Sequence, residues 1–71
     1  MNEASIGIRV NGEIRSVPAG QTVNGLLEAL GLAGRPVVVE QNGTALFPRE
    51  FAAARLVEGD VVEIVRVVAG G

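Results

Sequence analysis

The residues of this chain best placed to do chemistry are its last three, Ala69-Gly70-Gly71, which follow the most apolar stretch of the sequence. Neither glycine has a Cβ, so the pair can thread a narrow channel in almost any backbone conformation. It could bring the α-carboxylate of Gly71 against a reactive phosphate held by another enzyme. A frayed terminus is the alternative for such a tail taken alone. Other reagents are scarce. With no His and no Cys among 71 residues, the chain lacks the commonest general base and metal ligand, a thiolate nucleophile and any disulfide. The carboxylates at Glu3, Glu13, Glu28, Glu40, Glu50, Glu58, Asp60 and Glu63 show no paired spacing suited to a general acid and base, and are read as solvated. Apart from the terminal pair, the glycines stand singly, most of them at turns or helix ends, so no phosphate-cradling loop is present.

The elements that must present the tail follow from pattern. Ser5 to Val10 alternates with period two, and Asn11-Gly12 is the strongest short hairpin signal. Glu13 to Val17 is the return strand, ended by Pro18. Thr22 is a good N-cap, and Val23, Leu26, Leu27 and Leu30 form the apolar stripe of a helix packed on one side, with Asn24 and Glu28 toward water. Gly31 suits the left-handed position that stops it. Gly25 inside this helix costs up to about 1 kcal/mol relative to Ala; close packing against the sheet, an interface or simple tolerance would each account for it. Val37 to Val39 reads as a short strand with both faces partly covered, Gln41 to Thr44 as a turn, and Ala45 to Phe47 as a brief strand that Pro48 ends. Glu50 to Arg55 holds a short helical turn, with Phe51 in the core. Val61 to Val68 is the longest and most apolar strand and belongs in the middle of the sheet.

That order defines an α+β domain, a mixed sheet of four to five strands packed on one main helix. Residues 1–68 form the domain and 69–71 the flexible tail, with no repeat or second domain. One helix covers one side of such a sheet, yet the last strand is apolar on both, Val61, Val65 and Val67 on one side and Val62, Ile64 and Val68 on the other. An exposed apolar patch on the open face therefore marks a partner surface, with scattered surface valines as the alternative.

Composition excludes several classes. Apolar residues make up 48% of the chain, twelve of them Val, too many for a disordered segment. The formal charge is −2 and the six basic residues are dispersed, so nucleic acid is not expected. No membrane segment or leader is apparent, giving the expectation of a soluble, cytoplasmic protein. Every basic residue is Arg, from a genomic bias toward Arg or an avoidance of lysine.

Together, fold order and tail resemble the ubiquitin-like β-grasp sulfur carriers, and in detail the thiamine-biosynthesis sulfur carrier family, ThiS. The likeness is carried by Asn11-Gly12-Glu13, by Ala19-Gly20-Gln21-Thr22-Val23 leading into Leu26-Leu27, and by Pro48-Arg49, Gly59-Asp60 and Ala69-Gly70-Gly71. It covers essentially the whole chain. Phe51 stands where members of the family often have Trp, a departure that keeps the aromatic anchor. What the resemblance implies is a carried substrate with no cofactor of its own. An ATP-dependent activating enzyme adenylates the Gly71 carboxylate, a sulfur donor such as a cysteine desulfurase converts it to a thiocarboxylate, and a thiazole synthase receives the sulfur. Val65 and Val67 become candidates for the surface those partners dock. Relatives of the same fold deliver sulfur to molybdopterin, to tRNA bases or to cysteine synthesis, or are joined to lysines of other proteins. The residues leave these destinations open, as they do a plain binding module.

Overall fold

Chain reversal at Asn11-Gly12 and again at Asn42-Gly43 sets the architecture, because both dipeptides sit at positive φ (49° and 85°, 52° and 83°). These are the left-handed values that a two-residue hairpin turn matched to strand twist requires. The computed structural model describes residues 4–68. Within them the first turn joins β1 (Ser5–Val10) to β2 (Glu13–Pro18), and the second joins β3 (Val37–Gln41) to β4 (Thr44–Leu46). Helix α1 (Val23–Ala29) lies between the hairpins, and β5 (Val61–Arg66) follows them. The sheet order is β2-β1-β5-β3-β4. The expected central strand is therefore central, parallel to β1 and antiparallel to β3.

Both ends of α1 are as the sequence requires. The Thr22 hydroxyl accepts from the Gly25 N–H at 3.1 Å, taking up one of the donors a helix start leaves unpaired. At the other end Gly31 has φ 75°. Its N–H donates to the Glu28 carbonyl, and Leu32 N–H donates to that of Leu27, the double closure of a Schellman motif. Val23, Leu26 and Leu27 are buried against the sheet face that carries Ile8, Val10, Val17, Val39, Val62 and Ile64. Burying each such side chain contributes about 1.5–3 kcal/mol.

Several details depart from expectation. A Cβ on Gly25 would meet the Gln21 side chain at 3.0 Å, so the close neighbour is the residue ahead of the helix cap and not the sheet. Asn24 is half-buried, with its N–H donating to Phe51. The short helical turn runs over Pro48–Glu50, ahead of the expected Glu50 to Arg55. Pro48 has no N–H to lose at a first helical position, and the Glu50 carboxylate accepts from Phe47 N–H at 2.7 Å, so proline ends one element and starts the next. Strand β4 accordingly stops at Leu46, while β3 runs on to Gln41. Phe51 is in the core, as expected. Strand β5 ends at Arg66, short of Val68, although Val67 N–H still donates to Pro36.

Candidate reactive tail and docking face

Strand β5 is the last element before the end of the described residues, and its pairing along both edges fixes where the chain leaves the sheet. On the β1 side regular pairing stops at Val10 opposite Val62. The Asn11 side chain then supplies one more rung: its amide nitrogen donates to the Ile64 carbonyl at 3.1 Å, and its oxygen accepts from Ile64 N–H at 2.7 Å. On the β3 side Asn42 acts similarly at the start of the strand. Its N–H donates to the Val61 carbonyl at 2.7 Å, and its side-chain oxygen accepts from Val61 N–H at 2.8 Å. The two hairpin turns thus clamp the central strand with side chains that imitate backbone.

Asp60, immediately before β5, corrects the expectation that every carboxylate is solvated. It is 5% exposed and accepts from Gln41 Nε2 at 3.0 Å, Asn42 Nδ2 at 2.9 Å and Val57 N–H at 2.9 Å. Burial pushes its carboxyl upward, but the hydrogen bonds from Asn42, Val57 and Gln41 outweigh that and hold it below the ordinary aspartate value. Its role is to lock the loop entering β5 to the β3–β4 turn. In the sequence Gly59-Asp60 marks a turn, but nothing local marks its carboxylate as buried.

Ala69, Gly70 and Gly71, the residues expected to be reactive, lie outside the described residues. Val65 and Val67, the expected docking residues, are 61% and 51% exposed. The face that α1 leaves open holds a directly opposed pair, Val38 and Val65, and beside it the opposed carboxylates Glu40 and Glu63. Like charges in that position repel. Val37 to Val39, expected to be partly covered on both sides, in fact alternates, with Val39 buried and Val38 exposed. Among the described residues no group of three or more His, Cys, Asp or Glu is placed to hold a metal, and no helix is long and apolar enough to cross a membrane.

A five-stranded mixed sheet folded over one helix, with its central strand β5 parallel to β1, is the ubiquitin-like β-grasp class. Its backbone superimposes on the crystal structure of the thiamine biosynthesis protein ThiS from Geobacter metallireducens with a TM-score of 0.79 and 35% identity, covering 93% of this chain and 100% of that one. The chain is 39% identical over 64 residues to a thiazole synthase of Magnetococcus marinus, covering 90% of this chain and 20% of that protein. With a thiazole synthase of Paramagnetospirillum magneticum it shares 39% identity over 62 residues, 87% of this chain and 19% of that one. It therefore spans about one fifth of the length of these curated relatives. Residues 8–71 match the ThiS family, and the chain belongs to it.

Proposed function

We propose that this protein is a sulfur carrier of thiamine biosynthesis, a protein substrate and not a catalyst, whose reactive group is the carboxylate of Gly71. The observation that carries the reading is the ThiS family match running through residue 71, so that the glycine pair falls inside it. A free carboxylate is a poor electrophile because its charge is delocalised. In the proposed sequence a Gly71 oxygen attacks the α-phosphorus of ATP on an activating enzyme and pyrophosphate leaves. The terminal sulfur of a donor persulfide, such as that of a cysteine desulfurase, then displaces AMP from the mixed anhydride. A thiol cleaves the resulting acyl disulfide, leaving the thiocarboxylate on Gly71 and a disulfide on the donor side.

Two relatives named thiazole synthase contain a stretch similar to this chain, which supports a thiazole synthase as the sulfur acceptor. Val65 and Val67, with Val38 beside them, are the apolar docking face in this reading. The chain has no Cys, so no internal thiol competes for the activated glycyl group.

The test is intact mass of the chain after incubation with ATP, a sulfur donor and the activating enzyme, followed by trapping with a thiol-directed alkylating reagent. Trapping is essential because oxidation of Met1 adds nearly the mass gained when sulfur replaces oxygen. The expected product is an alkylated adduct mapping to Gly71 and absent when Gly71 is deleted. An unmodified chain in the presence of demonstrably active enzyme and donor overturns the proposal.

A further inference from the structure

Strand β5 outruns its neighbour β1, and the notch that results is lined on the side opposite the Val65 face. A cavity of about 310 Å³ opens there. Its apolar wall is Leu30 and Leu32, from the end of α1 and the turn after it, with Ile64 of β5; Arg15, Arg66 and Glu13 stand around it. Arg15 and Arg66 are both exposed, and two guanidiniums against one carboxylate leave the site with a formal charge of +1. The backbone adds a further feature. Ile64 N–H and C=O face the β1 side, where Asn11 engages them. Strand groups alternate sides, so those of Arg66 face the same way, beyond the last paired residue of β1.

Gly71 lies five positions beyond Arg66 (71 − 66), at most roughly 17 Å away along the chain. A protein that acts on Gly71 comes within that distance of the strand's end, where both faces are open to contact. It meets valines on one face and the Arg15–Arg66 notch on the other. We propose that this notch receives an extended segment of the activating enzyme, one that pairs an acidic side chain with Arg15 and Arg66, lays an apolar side chain on Leu30 and Leu32, and adds a backbone rung at Arg66. This inference rests on the sulfur-carrier reading above, and it assigns the activating enzyme a second contact, separate from the valine face. Charge complementarity of this kind acts mainly on encounter and specificity.

The experiment is ATP–pyrophosphate exchange by the purified activating enzyme with the full chain as substrate, at low and high ionic strength. The double variant Arg15→Gln/Arg66→Gln is expected to raise KM for the chain roughly tenfold at low salt, with the loss falling on KM and not on kcat. That gap should close by about 0.5 M salt, where exposed charges are screened. Arg15→Lys/Arg66→Lys, which keeps the charge, should recover most of the affinity. Both side chains are exposed, and thermal unfolding of each variant shows whether the fold is kept; the single Gln variants serve if the double one is lost. Exchange by the wild-type chain with an unchanged KM for the Gln variants overturns this inference and leaves the carrier reading standing. No exchange by the wild-type chain with an enzyme active on its own substrate overturns the carrier reading itself. NMR shifts at Arg15 and Arg66 on titration with inorganic phosphate or AMP, with KM unmoved by the Gln variants, would make the notch a small-anion site and overturn the docking proposal.

Discussion

Replacing Asp60 by Asn separates the charge of the buried carboxylate from its shape. Asp60 Oδ2 accepts from Gln41 Nε2 and Val57 N–H, and Oδ1 accepts from Asn42 Nδ2. If the new amide oxygen keeps the first two, the new amide nitrogen confronts the nitrogen of Asn42. Asn42 cannot flip to relieve this, because its oxygen already accepts from Val61 N–H at 2.8 Å. Two hydrogen bonds therefore weaken from charge-assisted to neutral, and one becomes a donor facing a donor, a combined cost of about 3 kcal/mol. A domain of this size has roughly 4–11 kcal/mol of stability in all, and such a loss lowers Tm by roughly 12–24 °C. Urea and thermal unfolding followed by circular dichroism measure it, since the chain has no Trp. The wild-type carboxyl titrates below its ordinary value when folded. Its contribution is therefore complete above the unfolded value of about 3.9 and disappears as pH falls through the folded one. The two stability curves should be separated at neutral pH and converge in acid. Equal midpoints at neutral pH, or a gap that stays constant into acid, would refute the account of Asp60 as a charged anchor.

Two further substitutions probe β5 from its other sides. Asn11→Ala removes both hydrogen bonds to Ile64 and puts a less tolerant residue at φ 49°, so it should destabilise the domain by about 2–3 kcal/mol and speed exchange of the Ile64 amide hydrogen. Unchanged protection at Ile64 would show that the clamp is dispensable. Val67→Asp, at a half-exposed position, should leave the unfolding midpoint within a few degrees while raising the activating enzyme's KM roughly tenfold or more; a folded variant with normal KM would remove Val67 from the docking face.

The hairpins, the helix and the central strand were legible because their signals are local. Asn-Gly selects one turn geometry, Thr22 and Gly31 bracket one amphipathic stripe, and the apolar run of β5 has only one comfortable place in a sheet. The helical turn after Pro48 was misplaced because proline suits both a strand's end and a helix's first residue, and local sequence does not choose. Asp60 was misread for a different reason. Its burial depends on Gln41 and Asn42, 19 and 18 residues away, and a carboxylate followed by valines looks the same whether its partners are water or amides. The notch was equally invisible, since Arg15 and Arg66 lie 51 positions apart (66 − 15) and share it only through the sheet order. The chemistry proposed for the tail rests on its glycines together with the family match, whereas the open face of the sheet depends on which side α1 covers, and the burial of Val62 and Ile64 decides that.

The position of β5 also bears on when the domain can assemble. This strand sits in the middle of the sheet but comes after every other described element in the chain, and its pairing with β1 joins Arg9 to Val61. Bringing together residues 52 positions apart (61 − 9) costs about 3.5 kcal/mol of chain entropy before those contacts repay it. Pairings of that sequence separation slow folding relative to a local hairpin. Until β5 inserts, the two hairpins have no strand between them and Val39 has no central neighbour on which to close the core. An incompletely folded chain thus lacks the clamped end of β5, so under the proposed carrier reading folding itself acts as a checkpoint on which copies an activating enzyme could use.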